Sequence, residues 1–154
     1  MPRVNDEHAE LINQLHAGTW AGGLGIVVDS ATRDAVKAHV VIDAHHRQPQ
    51  GIVHGGVYAT IVESMASVGA AIDAMSRGKN VVGLENQTSF VRAVREGTLY
   101  CRATPVTRGR RTQLWDVVIE NEEHAVVATG RVRLLVLDPH ADVAGKQLEV
   151  GVGE

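Results

Sequence analysis

From Val57 to Met75 the chain is apolar or small at nearly every position, including Ala59, Ile61, Val62, Met65, Ala66, Val68, Ala70, Ala71, Ile72 and Ala74. These residues fall on every side of a 3.6-residue repeat rather than on one stripe. The pattern predicts a long helix, from about Gly55 to Met75, buried on most of its sides. Glu63 stands in its middle. A carboxylate inside a buried helix is uncommon unless it is paired or reactive, so Glu63 is the first candidate for chemistry.

The flanking segments follow other periods. Residues 5–16 place Leu11, Ile12 and Leu15 at helical spacing behind a possible Asn5 or Asp6 cap, and Gly18 closes that short helix. Gly22-Gly23-Leu24-Gly25 leads into Ile26-Val27-Val28 and reads as a turn into a first strand rather than a phosphate loop. Between residues 34 and 43, Val36, Ala38, Val40 and Ile42 alternate with Lys37 and His39, a half-buried strand. Beyond the long helix, residues 81–91, 98–107, 112–120 and 124–137 read as four strands in meander, broken at glycine- and charge-rich turns. One long helix between strand runs argues an α+β fold, with a strongly bent antiparallel sheet wrapped around that helix. The expected divisions are an N-terminal helix over 1–18, one domain over 19–137 and a flexible tail over 138–154.

The start of the long helix adds a second candidate. Free N–H groups and the positive dipole end at Gly55-Gly56 suit a carbonyl oxygen or an anion. Glu63 lies eight residues further on, about 12 Å along the axis, and its side chain cannot close that gap. For both to act on one substrate atom, one must come from another chain. Two such helices lying antiparallel across a twofold axis would supply two composite sites, so an obligate dimer is expected.

Composition narrows the function classes. A chain of 154 residues can bury one ordinary core, and its net charge of −3 gives no reason to expect a nucleic-acid or polybasic membrane partner. With a single cysteine, Cys101, no intrachain disulfide can form. No signal-peptide pattern opens the chain, and Glu63 interrupts the best apolar run, so a soluble cytoplasmic protein is expected. His45-His46 lacks further ligands at metal spacing, and no Gly-x-Ser-x-Gly elbow is present.

The stretch Arg47-Gln48-Pro49-Gln50-Gly51-Ile52-Val53-His54-Gly55-Gly56, followed by Glu63-Ser64 and Ser67, resembles the hotdog-fold acyl-CoA thioesterases. It is similar to the Arthrobacter-type 4-hydroxybenzoyl-CoA thioesterases and the 1,4-dihydroxy-2-naphthoyl-CoA hydrolases, within the phenylacetyl-CoA thioesterase-like superfamily. The likeness runs through Val82-Gly83-Leu84-Glu85-Asn86, Thr88-Ser89-Phe90-Val91-Arg92 and Gln113-Leu114-Trp115, and covers roughly residues 20–137. It implies that Glu63 acts as nucleophile or general base and that the Gly55 N–H polarises the thioester carbonyl. Gln48 would contact the thioester, His54 would hold the loop, and Ser67 would position water or the carboxylate. Gly56, Ser89, Arg92, Gly109, Arg110 and Arg111 would bind the CoA portion. Relatives of the Arthrobacter type also use an arginine near the C-terminus, where this chain has Val136-Leu137-Asp138.

The resemblance further implies a homodimer with shared sites that pairs into a tetramer, and no metal or redox cofactor, coenzyme A being part of the substrate. It favours an aromatic acyl group, for which Ala59, Ala66, Gly69 and Ala70 would leave room beside the helix. The alternative from another class is a non-hydrolytic acyl-CoA-binding or sensing module. A hotdog dehydratase would need a different His-containing arrangement.

Overall fold

The computed structural model describes residues 6–149. Its order is α1 (Glu7–His16), α2 (Trp20–Gly23), β1 (Val27–Ala31), β2 (Val36–Ile42), a 3-10 turn (Ala44–His46), α3 (Gly55–Ser76), β3 (Asn80–Phe90), β4 (Gly97–Arg108), β5 (Thr112–Glu120), β6 (Val126–Leu137), β7 (Asp142–Val143) and β8 (Lys146–Gln147). Six strands form one antiparallel sheet in the order β1-β2-β4-β5-β6-β3, and α3 packs across one face of it. This is the α+β hotdog architecture.

The alternation expected in β2 holds: Val36, Ala38, Val40 and Ile42 are buried, whereas Lys37 is exposed and His39 half-buried. On β5 the same period buries Trp115, Val117 and Ile119 against α3. Trp115 stacks where the helix has no side chain, because a Cβ on Gly69 would stand 2.4 Å from its ring.

Some expectations need correction and others gain detail. The last four strands are not a simple meander, because β3 skips its neighbour in sequence and pairs with β6, with Asn86 opposite Val132. That places β3 at the edge of the sheet. The glycine-rich 22–25 segment is not only a turn; Trp20–Gly23 forms a four-residue helix. The segment after Asp138 contains the β7–β8 hairpin, turning on Ala144 and Gly145, both at positive φ. Asp6 is the observed cap of α1, accepting from the Ala9 N–H, while Asn5 lies outside the described residues.

α3 also differs from the helix expected. Val57, Ile61, Val62, Met65, Ala66 and Ala70 face the sheet, but Ala59, Thr60, Glu63, Ser64, Ser67, Val68, Ala71 and Ile72 form a half-buried stripe that the chain leaves open. By length and hydropathy α3 passes for a membrane span, contrary to the expectation that Glu63 would disqualify it; here one side of it packs on the sheet.

The two sheet edges are treated differently. At β1, the Asn13 side chain of α1 donates to the Val28 carbonyl at 2.9 Å and accepts from the Val28 N–H at 2.8 Å. The Asp6 carboxylate accepts from the Ala31 N–H at 3.0 Å. These contacts occupy edge groups that would otherwise invite another strand. Among the described residues nothing does the same for β3.

Candidate active site

Glu63 sits on the open stripe of α3, beside β3. The Asn86 side-chain amide donates to Glu63 Oε2 and to the Ala59 carbonyl, each at 3.1 Å. Ser67 Oγ, one turn along the helix, lies 3.5 Å from Glu63 Oε1, the outer limit of a hydrogen bond. Gly83 makes room for the carboxylate: a Cβ there would stand 2.5 Å from Glu63 Oε1. Glu63 and Ser67 are thus brought together as the sequence implied.

Gln48, Gly55 and Arg92 form a second group at the helix start. With Ile52, Tyr58 and Phe90 they line a cleft of about 290 Å³. The Gln48 side chain accepts from the Gln50 N–H, and the short bridge between Arg47 and Val53 folds the loop back on itself. His54 caps α3, its Nδ1 accepting from the Gly56 N–H at 2.8 Å, so His54 engages Gly56 rather than Gly55. Phe90 lies directly over Gly55, where a Cβ would come within 2.5 Å of its ring. Burial pushes the Tyr58 phenol pKa up, and its hydroxyl is enclosed without a partner among the described residues.

Gly55 and Glu63 lie on one helix, about 12 Å apart along its axis. Within one chain they face different spaces.

The residues assigned to the CoA portion are scattered. Ser89 lies opposite Thr129 on β3 and lines a shallow depression with Gln87, Asp116 and Arg131, away from the cleft that holds Arg92. Gly109, Arg110 and Arg111 form the β4–β5 turn, near the C-terminal end of α3, where Arg77 donates to the Gly109 carbonyl at 3.3 Å. The small residues expected beside an aromatic acyl group also divide. Ala66, Gly69 and Ala70 are buried under the sheet, and only Ala59 is on the open stripe.

Three side chains escaped the sequence reading. Asn86 holds Glu63, and its signal was an asparagine inside an otherwise regular strand. Asp73, not Glu63, is the fully buried carboxylate of α3, at 1% exposure, paired with Arg33 at 2.9 Å and Arg77 at 2.8 Å. An acid four residues ahead of an arginine on a helix was its signal. Trp20 is 74% exposed, yet its indole N–H is fixed to Thr60 Oγ1 at 3.0 Å on the open stripe.

Residues 50–128 match the thioesterase superfamily model. A solved Mycobacterium tuberculosis protein is 40% identical, with a TM-score of 0.76, covering 77% of this chain and 96% of its own. A thioesterase of Haemophilus influenzae is 33% identical with a TM-score of 0.80, covering 84% of this chain and 90% of that one. The 1,4-dihydroxy-2-naphthoyl-CoA hydrolase of Escherichia coli is 30% identical over 83% of this chain and 93% of its own. The chain therefore belongs to the thioesterase superfamily, as a hotdog-fold hydrolase of thioester bonds.

Proposed function

We propose that this chain hydrolyses acyl-CoA thioesters, with aromatic acyl groups favoured, at a site shared between two copies of itself. Glu63 supplies the carboxylate. It either attacks the carbonyl carbon to give a mixed anhydride that water then opens, or draws a proton from the water that attacks. In both routes the C–S bond breaks and CoA leaves as the thiol. The Gly55 N–H of the second copy, at the positive end of its helix, stabilises charge on the carbonyl oxygen. Gln48 and His54 shape that end of the site, and Ser67 steadies the carboxylate or its water.

One observation carries this reading. Glu63 faces outward on the open stripe of α3, held by Asn86 beside the uncovered β3 edge, while its own Gly55 is a helix segment away. A second copy joined along β3 would cover the stripe and bring its own helix start to Glu63. For the acyl group, support comes from the substrate in the name of the E. coli relative and from the exposed Trp20 ring anchored on that stripe. Arg92, Arg110 and Arg111 are the cations offered to the CoA phosphates, with Gly56, Ser89 and Gly109 along the track.

The test is a panel of aromatic and aliphatic acyl-CoAs, followed through released thiol, for wild type and Glu63→Ala. Hydrolysis by wild type and a loss of about 10³-fold in the variant, with folding intact, is the expected result. Full activity in Glu63→Ala would end the assignment of Glu63. Binding of acyl-CoA without thiol release would favour the sensing alternative.

A further inference from the structure

The cluster at the far end of α3 is used by no step above. Asp73 is enclosed by Arg33 from the β1–β2 turn, Arg77 from the helix end and the buried Gln113 of β5, whose amide reaches Asp73 Oδ2 at 3.1 Å. Gln113 in turn accepts from the Trp115 indole N–H at 2.8 Å, so the carboxylate is tied to the ring that packs on Gly69. Two of its partners reach outward. Arg77 sends its other terminal nitrogen to the Gly109 carbonyl, and the Arg33 carbonyl accepts from Arg108 at 2.7 Å. Arg108 also pairs with Asp34 at 2.8 Å. Both strands' turns are therefore fastened to one buried anion.

A charge this deep requires such partners, because an unpaired buried carboxylate is strongly disfavoured. The guanidinium fork of Arg77 allows one side chain to serve the carboxylate and the turn carbonyl together, which a lysine cannot reproduce. The fastened turn is the one bearing Arg110 and Arg111, both exposed.

We infer that Asp73 and Arg77 are positioning residues: they hold the Gly109-Arg110-Arg111 turn at a fixed place relative to the helix that carries Glu63, so that its guanidinium groups are pre-set for the phosphates of CoA. The inference rests on the acyl-CoA reading. Anchoring reduces the ordering cost at binding, so its loss falls on substrate affinity and not on the chemical step.

Arg77→Gln shortens the side chain and removes the charge and the fork, so neither Asp73 nor the Gly109 carbonyl is reached. With benzoyl-CoA as probe, its KM should rise about tenfold while kcat stays within about twofold. With benzoyl N-acetylcysteamine thioester, which has no phosphate, KM should not move. Arg77→Lys should recover only part of the loss. Amide hydrogen exchange over residues 109–112 should accelerate in Arg77→Gln, with the core strands unchanged. Equal KM rises for both substrates, or unchanged exchange at the turn, would overturn the inference. A wild-type protein inert toward every CoA thioester would instead remove the acyl-CoA reading, and the exchange measurement would still report on the anchor. Asp73→Asn is the harsher variant; if it does not fold, Arg77→Gln, one-third exposed, decides the matter.

Discussion

A single amide joins Glu63 to the edge of the sheet: Asn86 donates to the carboxylate and to the Ala59 carbonyl one turn earlier, each at 3.1 Å. The second bond matters as much as the first. It fixes the amide against the helix backbone, so the carboxylate is held by a group that is itself held. Asn86→Ala should lower kcat by about 10–100-fold with little change in KM, the effect of a misplaced reacting group. Steady-state kinetics beside a thermal melt would separate this from unfolding, and unchanged kcat would remove Asn86 from the site.

Gly83 offers the converse test. Its backbone is not in the left-handed region, so alanine fits the strand, but the new Cβ would stand 2.5 Å from Glu63 Oε1. The carboxylate is the group that must move. Gly83→Ala should therefore cut turnover by about tenfold or more while the melting temperature holds.

A site shared between two copies predicts complementation. Glu63→Ala and Gln48→Ala should each be slow alone. Unfolded together and refolded as a mixture, they should recover about a quarter of wild-type activity, since half of random pairs carry one intact site of two. If Glu63 and Gln48 served from the same chain, the mixture would recover nothing.

At Gly69 two effects oppose each other. Alanine in a helix interior is favoured over glycine by about 1 kcal/mol. Against this, its Cβ would meet Trp115 at 2.4 Å, and forcing a methyl into a packed core costs about 1–3 kcal/mol. Trp115 is fully buried and pinned through its indole N–H, so it has little room to retreat. Denaturant unfolding of Gly69→Ala should show a net loss of about 1–2 kcal/mol.

Burial pushes the Cys101 thiol pKa from 9.0 up to about 12. Folding thus favours the protonated form. Stability from this group is complete below pH 9 and is lost as pH rises from there through the folded value. At pH 8 a disulfide reagent should leave native Cys101 untouched and label it only in denaturant. Rapid labelling of the folded protein would contradict its burial on β4, beside Ala38 of β2.

Much of this was legible in the residues and some was not, for physical reasons. The central helix and the alternation of β2 and β5 follow from local pattern, and the His54–Ser67 stretch marks the candidate site by its spacing. A helix that is apolar on every side does not reveal its rotation, so Ala66, Gly69 and Ala70 were placed beside the substrate when they face the sheet. Sequence order also does not give strand order. Only the β3–β6 pairing puts Asn86 next to Glu63, and no local signal encodes a register set by residues forty or more positions away. Asp73 is harder to read: Arg77 stands four residues on along the same helix, but Arg33 and Gln113 come from distant elements.

The plug that Asn13 and Asp6 place on β1 leaves β3 as the uncovered edge of the six-stranded sheet among the described residues. A chain open at both ends could add copies without limit, as fibres do. Here, joining through β3 would consume the free margin of each participant, and growth along that direction would stop at two. Asn13→Ala combined with Asp6→Ala should therefore leave the carboxylate site untouched, yet allow copies joined through β3 to add further copies through β1, read as larger species on size-exclusion chromatography.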